Sequence, residues 1–406
     1  MSNIAFNNAR LIVLITIITN LADGVIKISL PILAAKLTHS PIEISSVVLC
    51  FTLPWLLTSL HVGVLVDRSD RRKLLVLANL IRVIGVATLL ILYISNNMKI
   101  TWLYPIAFIL GIAEVIAATS ETTLVPMAVK ENKLQSTNTW VAGSENICNE
   151  FIGPPLGGFL LATGAWLALG FSTVAYLLAV ICVLLLRGVF KIPKHQNTLT
   201  ITADIRTGIL FIWRNNALRT MTLLVGVMAC CWSAWLAIIV LYAVSPGPMK
   251  LSESGYGLLI SALGAGGLFG ATVTPILNKL IGHRWVMFGD IIGTFFMLLV
   301  PALTINPYLV GLSTFCGGMG GIMWVINSRT LAQCVVPTAM LGRFYATYRL
   351  ISWGFLPVGA GLAGIIAEFI SLRAVFLSGA IATALLIIPF HHSFKGSMFN
   401  DLIRRK

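Results

Sequence analysis

Long apolar runs separated by short polar connections fill nearly the whole sequence. About twelve of them approach or exceed the roughly twenty residues that carry a helix across a bilayer. The first six lie near 11–35, 45–66, 74–95, 102–126, 136–162 and 166–187. The second six lie near 218–244, 255–281, 285–304, 308–335, 344–369 and 373–390. The longest polar connection, 188–217, separates the two sets. Its second part places Ile205, Ile209 and Ile212 near one helical face and Asp204 and Arg206 elsewhere, as in an amphipathic helix lying on the inner membrane surface. The pattern predicts an all-α integral membrane protein with twelve transmembrane helices in two pseudo-symmetric six-helix bundles, 1–188 and 218–406, joined by a cytoplasmic linker over 189–217. The halves echo each other weakly. Val125-Pro126 closes the fourth run and Val336-Pro337 the tenth, while Pro155-Leu156-Gly157-Gly158 in the fifth is answered by Pro357-Val358-Gly359-Ala360 in the eleventh. Parallel six-helix repeats with a substrate site between them are a transporter architecture.

Composition sharpens this reading. Apolar residues make up 57% of the chain and charged residues 10%, with a mean hydropathy of +0.92; a soluble domain carries about 25% charged residues. The net charge of +14 could point to nucleic acid, but the cations are not gathered on a soluble module. About twenty of the 28 Lys and Arg fall in alternate loops and the C-terminal tail, against about four in the opposite loops. That is the positive-inside distribution. Arg10 at one end and Lys395, Arg404, Arg405 and Lys406 at the other place both termini in the cytoplasm, in a multi-pass protein of the inner or plasma membrane. The first run lacks a convincing cleavage site and reads as a retained span. The seven cysteines all lie in apolar runs without metal-ligand spacing, so neither disulfides, metal nor another cofactor is expected.

One short stretch, 63–73, stands apart. Between two apolar runs it holds Asp67, Arg68, Asp70, Arg71, Arg72 and Lys73, a charge density found nowhere else in the chain. By charge alone it is a basic cytoplasmic loop. Gly63 would let another helix pack close, and Asp67 would meet water where it can cap a neighbouring helix and pair with Arg68 or Arg71. The order Gly63-x-Leu65-x-Asp67-Arg68-x-x-Arg71-Arg72-Lys73 resembles the signature between the second and third helices of the major facilitator superfamily, with Asp70 where that family has a second glycine. In the fifth run, Gly153-Pro154-Pro155-Leu156-Gly157-Gly158 predicts a kink, because the prolines remove backbone donors and the glycines admit a close neighbour. It also resembles the Gly-Pro-x-x-Gly-Gly motif of the superfamily's exporters, with Asn149 where those often have glycine. Stretches 134–138 and 210–216, and Gly342-Arg343, resemble bacterial drug, macrolide and siderophore exporters. The resemblance implies a central cavity lined by helices 1, 4, 7 and 10, and a gating role for Gly63, Asp67, Arg68, Arg71 and Arg72. Where many proton-driven exporters carry an arginine in the fourth helix, this chain has Ala107.

Ionisable residues within spans are costly and therefore functional candidates. The first run places Thr16, Asn20, Asp23 and Lys27 on one helical face, with Asp23 near mid-membrane. Asp23 and Lys27, four residues apart, can neutralise each other. Otherwise the stripe faces a cavity. Glu114 and Glu121 in the fourth run, with Glu145 and Asn149 in the fifth, form similar stripes. Arg82 is expected to pair with Glu121, and Asp290, Arg329 and Arg349 to form structural or gating pairs. Trp55, Trp232, Trp235, Trp324 and Trp353 fall near mid-span, where they either fill the core or line an apolar cavity for a ring-bearing molecule.

These features favour a monomeric secondary transporter, a proton-coupled exporter of a small organic, drug-like or siderophore-like compound working by alternating access. Partners are then the substrate, the proton and the lipid bilayer, with no nucleic acid. An importer or facilitator of a small metabolite and a transporter-like sensor remain open alternatives. An enzyme is disfavoured. There is no Walker-type Gly-x-x-x-x-Gly-Lys and no His-Glu-x-x-His, and Gly289-Asp290 lacks the earlier glycine of intramembrane aspartyl proteases.

Overall fold

The computed structural model describes residues 2–188, 190, 201–337 and 340–394. Lys395, Arg404, Arg405 and Lys406 lie outside the described residues, as do the side chains of 2–7, 67, 131–132, 201–206, 341–343 and 346. Asp67, Asp204, Ile205, Arg206, Gly342 and Arg343 are therefore described by their backbone alone. Apart from single-residue bridges at Val244 and Leu251, all regular structure among the described residues is helical.

The chain divides into two compact units. The first comprises Met1–His39, Ser46–Asn197 and Leu251–Ser261, the second Ser40–Ser45, Thr198–Lys250 and Ala262–Lys406. In chain order the helices that begin in sequence before residue 190 are α1 (Ser2–Leu37), α2 (Pro41–Leu57), α3 (Ser59–Arg68), α4 (Arg71–Ile94), α5 (Ile100–Ala128), α6 (Glu131–Glu145), a π-turn (Asn146–Ile152), α7 (Gly153–Thr163) and α8 (Ala165–Leu184). The later ones are α9 (Ile201–Arg214), α10 (Asn216–Ala243), α11 (Glu253–Leu280), α12 (His283–Leu303), α13 (Pro307–Val335), α14 (Leu341–Gly354), α15 (Leu356–Phe369), α16 (Leu372–Leu385) and α17 (Ile387–Ser393).

Among the described residues, ten helical stretches are long and apolar enough to cross a membrane. An eleventh is the pair α2 and α3, two arms bent by 53°. The bend falls at Thr58, whose hydroxyl donates to Pro54 O at 2.8 Å. Such back-bonding to the preceding turn bends helices. The run expected at 136–162 is not one uninterrupted helix. It is built from α6, the π-turn and α7, of 15, 7 and 11 residues, none of them alone long enough to span. Pro154 and Pro155 carry no N–H for the carbonyls of Glu150 and Phe151. The helix answers by widening, and Gly153 N–H donates to Cys148 O five residues back. The expected kink at Gly153 and Pro154 thus takes the form of a π-turn that precedes the prolines.

In the first unit α4 packs between α5 and α8, and α1 packs on α5, α6, the π-turn, α7 and α8. The tightest approach joins α1 to the π-turn. A Cβ on Gly24 would stand 2.8 Å from Asn149 O and 2.9 Å from Gly153 Cα, so neither Gly24 nor Gly153 admits a side chain. Gly63 shows the reverse of the expectation: a Cβ there would meet nothing within 4 Å, and no helix packs against it among the described residues. In the second unit α12 packs on α13 and α16, and α10 on α15. Met287, Ile291, Leu331, Phe344 and Phe390 sit in that unit's core. Helix α9 docks on α10 and α14 through the fully buried Ile212, while Leu210 and Trp213 stay about half exposed at 47% and 50%.

Candidate functional site

The polar face of α1 organises the first unit. Each member of the predicted stripe meets a partner on another helix. Thr16 donates its hydroxyl to Glu121 on α5. Asn20 accepts from the Asn149 amide in the π-turn at 3.2 Å and donates to Thr16 O at 2.9 Å. Lys27 pairs with Glu150 at 2.5 Å. Asp23 is held twice: Tyr176 on α8 donates its phenol to Oδ1 at 2.6 Å, and Arg82 Nη2 on α4 lies 3.3 Å from Oδ2.

The same Arg82 nitrogen lies 2.5 Å from Glu114 Oε2 on α5, and its guanidinium stacks 5.3 Å from the Tyr176 ring centroid. One cation therefore joins two carboxylates and one phenol drawn from α1, α5 and α8. Arg82 is nearly buried, its side chain 5% exposed, and Asp23 is 14% exposed. The apolar surroundings strengthen these charge-assisted bonds and make any loose charge expensive. Two carboxylates against one guanidinium leave one surplus negative charge when all are ionised.

Several expected pairings differ. Lys27 neutralises Glu150, not Asp23. An i,i+4 pair along one helix competes with partners across the bundle, and the close approach at Gly24 and Gly153 brings Glu150 within reach. Arg82 pairs with Glu114 and Asp23, while Glu121 takes a hydroxyl. Glu145, the last residue of α6, is exposed and within electrostatic reach of Glu121. Neither Tyr176 nor Glu150 carried a role in the sequence reading. Glu150 follows Asn149 at the start of the proline motif and could have been flagged as one more acid within a span. Tyr176 sits in an unbroken apolar run and gave no signal. At Ala107, two turns from Glu114 along α5, there is no cation; the cation that meets Glu114 comes from α4.

The tryptophans divide. Trp55 is packed into the first unit's core at 5% exposure; in the second unit Trp235 and Trp324 are 1% and 2% exposed. These three fill interiors and present little surface to a ligand. Trp324 also donates to Tyr348 at 3.2 Å. Trp232 is half-buried and donates to Thr294 at 3.0 Å, and Trp353 is exposed beneath the Arg349 guanidinium at 4.8 Å. Asp290 accepts from Thr294 at 3.4 Å, and Asp290 and Arg329 both lie within electrostatic reach of Tyr348.

The loop between α3 and α4 is anchored. Asp70 is the N-cap of α4, accepting from Arg72 N–H at 2.9 Å, which explains an acid at a turn position where glycine was expected. Arg71 is fully buried, donates from its guanidinium to Ser69 O at 3.2 Å, and its backbone N–H bonds to Phe190 O at 3.2 Å. Arg72 reaches Leu184 O at the end of α8. Arg68 is exposed.

Removing one member of a buried charge group costs far more than removing the group. Arg82→Met should destabilise the protein by about 3–5 kcal/mol. The triple variant Arg82→Met, Asp23→Asn, Glu114→Gln should recover most of that loss. Thermal unfolding in detergent measures both, and a triple variant no more stable than Arg82→Met alone would show that the charge balance is not what holds these helices.

Sequence and fold comparisons place this geometry among known proteins. The sequence matches the transmembrane secretion effector family over residues 2–400. It is 23% identical over 399 residues to the multidrug efflux pump Tap of Mycolicibacterium fortuitum, covering 95% of each chain. It is 24% identical over 362 residues to the enterobactin exporter EntS of Salmonella typhi, covering 87% of this chain and 84% of that one. In fold it resembles a mutant of the nucleoside transporter NupG, with a TM-score of 0.79 at 13% identity over 96% of this chain and 100% of that one. A bacterial homologue of the iron transporter ferroportin gives 0.74 at 14% identity, over 96% and 99%. The chain belongs to the major facilitator superfamily, in its transmembrane secretion effector family, and is a multi-pass membrane transporter.

Proposed function

We propose that the protein is a proton-driven exporter of a small organic compound, drug-like or siderophore-like, acting as a monomer in the inner or plasma membrane by alternating access. Export is supported by the kinship to Tap and EntS. The observation that carries proton coupling is the surplus negative charge of the Asp23–Arg82–Glu114 cluster. A proton on either carboxyl brings the cluster to neutrality and leaves Arg82 to the other. Because the three groups lie on α1, α4 and α5, that exchange of partners acts on the packing of helices. Asp23 is the leading carrier, with Glu114 and Glu145 next. A ligand and a proton can then compete through their different affinities for the states of the transporter.

The substrate is first found by screening drug-like and siderophore-like compounds for thermal stabilisation in detergent. In proteoliposomes with an imposed pH gradient, Asp23→Asn should lose uphill transport of a stabilising compound while keeping its binding and downhill exchange. Uphill transport retained in that variant would assign the proton elsewhere.

Asp67 and Arg71, at the anchored loop between α3 and α4, are proposed to bias switching between states and not to touch substrate. Asp67→Asn should slow transport and leave substrate affinity within a few-fold. A large loss of affinity at normal interconversion rates would count against this role.

The distribution of cations supports cytoplasmic termini. In a background free of native cysteines, Lys99→Cys and Lys250→Cys should react with a membrane-impermeant thiol reagent added outside intact cells. Reaction only after the membrane is opened would reverse the orientation.

A further inference from the structure

A cleft of about 430 Å³ opens in the first unit, away from the ionic cluster, between the ends of α1 and α4 and the start of α8. Its volume falls in the range of small-molecule sites, about 300–1,000 Å³. Leu33, Leu37 and Ile94 supply apolar walls, Tyr93 and Trp166 amphipathic ones, and Lys36 a cation. All of these stand where spans end: Lys36 is in the last turn of α1, Ile94 closes α4, and Trp166 is the second residue of α8. That is the boundary between hydrocarbon and headgroups, where exposed Trp and Tyr gather. Trp166 is 53% exposed and Ile94 64%, so the cleft is open to the bilayer.

The head of the cleft is not a bare cation. Lys36 Nζ lies 2.8 Å from Glu253 Oε1, with the two side chains 47% and 23% exposed. The pair is formally neutral, and the partly exposed Glu253 carboxylate stands beside the residues that line the cleft. An ammonium has three donors, of which Glu253 takes one, and a carboxylate keeps further lone pairs. A ligand that satisfies both needs an acceptor anion for Lys36, a hydrogen-bonding cation for Glu253 and an apolar chain for the walls. An anionic headgroup satisfies Lys36 and is repelled by Glu253. A choline headgroup has no N–H to give. We propose that this cleft is a binding site for one zwitterionic phospholipid with a primary amine, phosphatidylethanolamine, its phosphate on Lys36, its ammonium on Glu253 and one acyl chain against Leu33, Leu37 and Ile94.

Native mass spectrometry of the full chain in mild detergent tests this, with phosphatidylethanolamine, phosphatidylglycerol and phosphatidylcholine offered at equal concentration. One phosphatidylethanolamine should be retained about tenfold more than either competitor, the equivalent of one charge-assisted hydrogen bond. Leu37→Trp, which fills the cleft at a partly exposed position suited to tryptophan, should lose that retention. Glu253→Gln, close in size, should lose the discrimination against phosphatidylglycerol. Thermal unfolding of each variant confirms that it is folded. Equal retention of the three lipids, preference for phosphatidylglycerol in the unaltered protein, or undiminished phosphatidylethanolamine retention in folded Leu37→Trp would each overturn the proposal.

Discussion

A guanidinium shared by two carboxylates inside an apolar bundle is the constraint on which the first unit depends. Arg82 could not lie there alone, because an uncompensated buried charge costs several kcal/mol even after relaxation. Nor could Asp23 or Glu114. Each is tolerable only because α4, α1 and α5 arrive at one point, and Tyr176 on α8 takes the remaining Asp23 oxygen. Lipid supplies no strong hydrophobic drive between helices, so small-residue contacts and polar bonds have to fix their arrangement. Here one cluster fixes four of them. The polar stripe of α1 then extends the same logic along the helix axis, from Glu121 at Thr16 to Glu150 at Lys27.

The second unit solves the packing problem with weaker polar chemistry. Asp290 meets a threonine hydroxyl, Trp232 the same threonine, Trp324 a tyrosine, and His283 lies 2.6 Å from Asn327. Rings and hydroxyls hold these helices, and the buried Asp290 is met by one of those hydroxyls. Close approach of backbones contributes here as in the first unit: a Cβ on Gly293 would collide with Cys316 O. Among the described residues, the first unit joins helices through buried ion pairs, the second through hydroxyls and rings. The two units thus meet the same packing problem with different polar chemistry.

Much of this was legible in the chain because membrane physics restricts the choices. A run such as 74–95 in hydrocarbon must be helical, since nothing else satisfies its backbone, and α4 occupies that stretch. The stripe of Thr16, Asn20, Asp23 and Lys27 followed from helical period alone, and all four do face other polar groups. Partner choice did not follow. Period says which face Asp23 occupies but not which helix stands opposite, so the local Lys27 looked as good as the distant Arg82. Gly63 misled for a related reason, as a glycine shows that a close approach is allowed but not that one occurs. The tryptophans fell between, since mid-span depth does not separate a ring that fills a core from one that lines a cavity. Tyr176 was invisible, because its phenol matters only through what α1 and α4 bring to it.

The π-turn connects the legible part to the rest. Pro154 and Pro155 remove two donors, and the backbone upstream widens so that Gly153 bonds to Cys148 and not to Asn149. The widened turn changes the angular position of every residue before it by about one residue, near 100° of helix rotation. Asn149 and Glu150 lie four and three residues before Gly153 and so fall on its side of the span, where they meet Asn20 and Lys27 while Gly153 stays against Gly24. The fifth span thus meets α1 through one glycine contact and two polar contacts on a common face, on the same helix that carries the carboxyl held by Arg82.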